Sequence, residues 1–120
     1  MMRFLWIGLL CAATPVFADD AQIVGATVTP ADVGWTVSVT IAHEETGWDD
    51  YADEWRIENW VGDTLGTRVL QHPHVNEQPF TRSLKEVTLP QGTEAIWIRA
   101  RTSVDGWGDE RFELTLPVVE

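Results

Sequence analysis

Three histidines and one glutamate hold the clearest potential for chemistry in this chain. His72 and His74 flank Pro73 in the stretch HPHVNEQPFTRSL (72–84), Glu77 follows three residues later, and His43 stands apart at the end of an alternating apolar run. Pro73 biases His72 towards an extended backbone and cannot donate to a strand ladder. In an extended chain, residues two apart point to the same side, so both imidazoles can face one ion. His-x-His on extended backbone is a ligand spacing for zinc or copper, but a site needs a third or fourth ligand. Glu77 is nearest in sequence, and His43 is the only other histidine. The competing reading is a polar edge loop whose histidines bond to local carbonyls. The sequence favours that reading, with His43 expected to stay apart from the 72–77 segment.

Two further groups have chemical potential. The acidic run GWDDYADEW (47–55) offers Asp49, Asp50 and Asp53 to calcium. An EF-hand loop starting at Asp49 would need glycine at its sixth position and glutamate at its twelfth, where this chain has Glu54 and Trp60. A solvated loop leading into a strand is the expected role. Trp48, Trp60 and Trp107 fall in loops or at strand ends and make a candidate platform for sugar rings or peptides. Trp35 and Trp55 fall on apolar faces and are expected in the core.

Catalysis has little to build on. After residue 18 there is no cysteine, no G-x-S-x-G elbow and no phosphate-cradling glycine loop. Ser38 and Ser83 are explained by strand alternation alone. Arg99 and Arg101, with Arg56 and Glu58 on a neighbouring strand, are expected to form cross-strand charge pairs on a wet sheet face.

The elements that must position these residues are strands. WTVSVTI (35–41) alternates without a fault, with Trp35, Val37, Val39 and Ile41 on one face. Further strands are expected over 23–29, 53–59, 65–70, 80–89, 95–101 and 111–117. Pro30 to Gly34, Gly62-Asp63, Pro90-Gln91-Gly92 and VDGWGD (104–109) supply the turns. About seven short strands without a helical period predict an all-β fold, an antiparallel two-sheet sandwich, with a closed barrel as the alternative.

Residues 93–117, an I-x-I-x-A strand, a glycine-containing hairpin and a last alternating strand, resemble the closing strands of fibronectin type III and other immunoglobulin-like domains. Residues 35–57 share that resemblance loosely. The segments HEETGWDDYADEW (43–55), LGTRVLQHPHVNEQPFTRSL (65–84) and RARTSVDGWG (99–108) also resemble an uncharacterised family of small exported bacterial β proteins. That second resemblance implies export and a small β domain, and no activity.

Residues 1–18, MMRFLWIGLLCAATPVFA, have the outline of a secretory signal: Arg3, an apolar run, and small residues Val16 and Ala18 before the expected cut at Asp19. The run is shorter than the roughly 20 residues that span a bilayer. Lipidation of Cys11 would need a small residue before it, where Leu10 stands. Residues 19–120 then form one cysteine-free domain suited to an oxidising compartment. Without Arg3, seven basic residues face nineteen acidic ones, a formal charge of −12. Such a balance argues against nucleic acid and anionic membranes as partners. The expected protein is a periplasmic or secreted, non-enzymatic binding module that presents loops 43–55 and 70–80 to a protein or small ligand. The alternative is a zinc- or copper-binding protein built on His72 and His74 with His43 or Glu77. An enzyme ranks third.

Overall fold

Period-2 alternation sets the strands of this protein. The computed structural model describes residues 20–118. The expected signal peptide, with Cys11 and the cut before Asp19, lies outside the described residues. The strands are β1 (Gln22–Pro30), β2 (Trp35–Ala42), β3 (Ala52–Glu58), β4 (Thr64–Val69), β5 (Phe80–Val87), β6 (Ala95–Thr102), β7 (Gly106–Trp107) and β8 (Phe112–Thr115). One antiparallel sheet has the order β1-β2-β5. The other has the order β4-β3-β6, with β7 and β8 both pairing with the far edge of β6. No ladder joins the two sheets among the described residues, so the architecture is a sandwich and not a closed barrel.

The eighth strand comes from a break. Gly108, Asp109 and Glu110 interrupt the final strand, leaving the two-residue β7 opposite Arg101 and Thr102 before β8 resumes opposite Ile98. Sequence alternation does not register a two-residue strand, which is why 104–109 reads as a plain loop.

The inward faces meet in one core. Val37, Val39 and Ile41 from β2, Phe80 from β5, Trp55 and Ile57 from β3, and Ile96 and Ile98 from β6 are all buried. Removing each such side chain from water contributes about 1.5–3 kcal/mol, which fixes the strand register because a one-residue slip would expose the whole set. The outer face of the three-stranded sheet is polar. Its hydroxyls pair across strands, Ser38 with Ser83 at 2.6 Å and Thr40 with Thr81 at 2.7 Å.

The β1–β2 turn tolerates only glycine at its end. Gly34 has φ +64°, and a Cβ built there would lie 2.6 Å from the Val87 carbonyl oxygen. Gly34→Ala is therefore expected to cost about 2 kcal/mol, from a left-handed backbone and a contact with main chain that cannot swing away. A urea midpoint equal to that of the wild type would show the turn to be freer than its geometry states.

Candidate functional site

The site grows from the register between β2 and β5. Ile41 pairs with Phe80, so the chain two residues beyond each brings His43 opposite Gln78. The His43 amide donates to Gln78 Oε1 at 2.9 Å, and Gln78 Nε2 donates to the His74 carbonyl at 3.0 Å. One glutamine side chain thus ties the end of β2 to the 70–79 loop.

A buried carboxylate completes the tie. Glu45 is fully enclosed, and its Oε2 lies 2.8 Å from His43 Nδ1 and also accepts from the Ala52 amide. Its Oε1 accepts from the His74 amide at 2.9 Å. A buried carboxylate is retained only where donors replace its water, and here it has three. Glu45 therefore clamps loop 43–51, the start of β3 and loop 70–79 together. The sequence does not single out Glu45, because within an acidic run it reads as solvated.

His43 and His74 accordingly converge, against the expectation that His43 stays apart from the 72–77 segment. Their meeting point is the Glu45 carboxylate. His74 is buried and stacks on Phe80 with centroids 4.0 Å apart at 11°, while the His72 ring lies 4.7 Å away at 40°. Glu77 does not join them: its carboxylate turns to Arg82, with Oε1 2.8 Å from Nη2. Of the acids proposed for calcium, Asp53 pairs with Arg101, and Asp50 Oδ1 lies 3.6 Å from His43 Nε2. Among the described residues no three His, Cys, Asp or Glu side chains are grouped to hold a metal ion.

Titration with one equivalent of zinc or copper(II) tests the metal reading, since a specific ligand would raise the thermal midpoint by mass action. A rise that vanishes on replacing His72 and His74 with alanine would support it, and an unmoved midpoint would count against it.

The tryptophans do not form one platform. Trp48 precedes β3 and Trp60 follows it, at opposite ends of the sandwich, and both are exposed. Trp107 is half-buried beneath Arg56, whose guanidinium carbon lies 4.0 Å from the ring centroid. Trp48 meets Tyr51 edge-on at 5.6 Å.

A third loop shares the Trp48 end. The Tyr51 amide donates to Ser103 Oγ at 3.0 Å, and the Ser103 amide donates to the Tyr51 carbonyl at 2.9 Å. Loops 43–51, 70–79 and 103–105 are thus bonded together, and each presents one exposed apolar side chain: Trp48, Val75 and Val104.

The face expected to be wet carries a second buried acid. Glu58 is fully enclosed, with Arg56 Nε at 2.7 Å, Arg111 Nε at 2.9 Å and Arg99 Nε at 3.3 Å. Arg111 also stacks over Trp97 at 5.0 Å and donates to the Asn59 carbonyl at 2.6 Å.

Burial holds the His74 imidazole below its ordinary value of 6.5, and the positive charges of Arg82 and His72 act in the same direction. Glu45 and Glu77 oppose them. An unfolded His74 takes up a proton near 6.5 and the folded one only at lower pH. Stability is therefore whole above the unfolded value and drains as pH falls from there towards the lowered folded value. Urea midpoints compared at about pH 7.5 and about pH 5.5 should fall in the wild type, and less so in His74→Phe. An equal fall in both would assign the loss to other groups.

The fold and site together define an all-β sandwich with three loops fastened at one end around a buried carboxylate. The chain is similar to a protein of Halomicrobium mukohataei named "Putative lipoprotein", with 41% identity over 73 residues, 61% of this chain and 35% of that protein. The chain thus spans about a third of that relative's length. No family model and no solved structure matches it.

Proposed function

We propose that this protein is an exported, non-enzymatic binding module of the cell envelope that presents loops 43–55 and 70–80 as one preorganised surface. The observation that carries the reading is the Glu45 clamp, which bonds both loops to each other and to the start of β3. Loops fixed before binding lose little entropy on association, which is how small scaffolds gain affinity. Trp48, Val75 and Val104, one on each loop of that end, supply the exposed apolar contacts such a surface needs. The similarity to a lipoprotein, together with the signal-like residues 1–18, supports placement at the envelope, periplasmic or secreted. The strand order β1-β2-β5 against β4-β3-β6-β7/β8 is in keeping with the fibronectin type III resemblance.

The test is site-specific photo-crosslinking in exporting cells, with the photoreactive residue at position 48, 75 or 104 and, as the control, at position 60 on the opposite end. Adducts are expected from the three loop positions and not from position 60. The captured partner, once purified, should bind Trp48→Ala at least about tenfold more weakly than wild type. Adducts that form equally from position 60, or from none of the four, would refute the reading.

A further inference from the structure

The open edge of the sandwich, between β4 and β5, carries a site of its own. Arg68 pairs in register with the core residue Trp55, so its side chain points between the sheets. Arg82 follows the buried Phe80 by two residues on β5 and points the same way. The two arginines, with Leu70, Gln71, His72 and His74, line a notch of about 240 Å³. Seven basic residues follow Arg3 in this strongly acidic chain, and two of them meet here.

Inward-pointing charges protect edge strands from pairing with other chains, and that accounts for two arginines. It does not account for His74 beside them. That ring is buried and lines the notch; its Nδ1 lies 3.5 Å from Glu45 Oε1, and its Nε2 has no hydrogen-bond partner among the described residues. A buried ring nitrogen left without a partner costs free energy unless something in the notch completes it.

The arginines are partly committed. Arg68 donates from Nε to the Ser83 carbonyl at 3.0 Å and from Nη1 to the Val69 carbonyl at 2.7 Å, which leaves Nη2 without a bond among the described residues. Arg82 donates from Nη1 to the Thr81 carbonyl at 2.7 Å, and its Nη1 and Nη2 hold the Glu77 carboxylate at 3.4 and 2.8 Å. The Glu77 side chain is 55% exposed. An exposed carboxylate seated on a guanidinium occupies the position that an external oxyanion would take.

We propose that this notch is an oxyanion-binding site for a small carboxylate or phosphate group, held by Arg68, Arg82 and His74 with His72 beside it, and that Glu77 is its internal competitor in the free protein. Burial is the main cause that lowers His74 protonation; Arg82 and His72 add to it with positive charge, and Glu45 and Glu77 oppose it. The site shares loop 70–80 with the loop-surface reading but not Trp48, Val75 or Val104, so anion titration tests it separately from the photo-crosslinking.

The test titrates the purified protein with inorganic phosphate and, separately, with acetate, at constant pH and low ionic strength. The His72 and His74 imidazole resonances report occupancy. A saturable shift of His74 with either anion is expected, and comparison of the two separates phosphate from carboxylate preference. Arg68→Gln and Arg82→Gln should each weaken binding about tenfold, the usual loss when a charged hydrogen bond is removed. Lys85→Gln, at an exposed position of β5, should leave it unchanged. Glu77→Gln should tighten it severalfold, which a purely edge-protecting role for Arg82 would not produce. Because Glu77 is more than half exposed, that variant decides the matter even where an arginine variant fails to fold. Absence of a saturable shift in both wild type and Glu77→Gln would overturn the proposal. So would an affinity indifferent to Arg68, Arg82 and Glu77.

Discussion

Glu58→Ala is expected to lower the unfolding free energy by about 3 kcal/mol, towards the lower end of the range for breaking a buried ion pair. The loss has two sources. Three guanidinium groups surround the carboxylate, with Arg56 Nε at 2.7 Å, Arg111 Nε at 2.9 Å and Arg99 Nε at 3.3 Å. Without it they repel one another, and their burial loses its compensation. The arginine side chains keep 22–27% exposure, so water takes up part of the deficit, which is why the higher figures in that range are not expected. Glu58→Gln retains shape and an acceptor but not charge, and should lose roughly half as much. Urea unfolding followed by tryptophan fluorescence measures both, and a constant slope would show that only stability has changed. Equal losses in the two variants would mean that packing, not charge, makes Glu58 matter. Because the carboxylate is enclosed, the difference between the variants should persist in high salt, unlike that of a surface pair.

The strands were legible in the sequence, and the burial of the two acids was not, for one reason. Alternation is a local property: Val37, Val39 and Ile41 announce a half-buried strand with no help from elsewhere. The roles of Glu45 and Glu58 depend on partners far along the chain. Glu58 meets Arg111 across 53 residues, and Glu45 meets the His74 amide across 29. Within a single sequence both acids look like members of a solvated face, since charged residues are rarely fully buried. Arg111 had no distinguishing pattern at all. The convergence of His43 with His74 was hidden for the same reason: it follows from the Ile41–Phe80 register, and the sequence states neither which strands pair nor in what register. The histidine motif marked the loop that the clamp holds. The residue that organises it was the unremarked Glu45.

Glu45→Ala should produce a loss of similar size, about 3 kcal/mol, but with a different spatial signature. Removing the carboxylate leaves the amides of Ala52 and His74 and the His43 ring without their acceptor, and each buried orphaned donor costs about 1–3 kcal/mol. Partial opening lets water reach some of them, which keeps the total below the simple sum. That opening is the distinguishing outcome. The 43–51 and 70–79 loops should separate from each other while the β3–β6 ladder stays closed, because Trp55, Ile57, Ile96 and Ile98 pack independently of the clamp. Native-state amide exchange reads the two regions apart: protection at Ala52 and His74 should collapse well before protection at Ile98. Gln78→Ala, which removes the second bridge between His43 and His74, should cost only about 1 kcal/mol alone. Combined with Glu45→Ala it should cost less than the sum, since a loop already released cannot be released again. Strict additivity, or retained protection at His74 in Glu45→Ala, would mean that the loops hold their shape without the clamp. The preorganised surface would then have to be sought in backbone geometry rather than in this carboxylate.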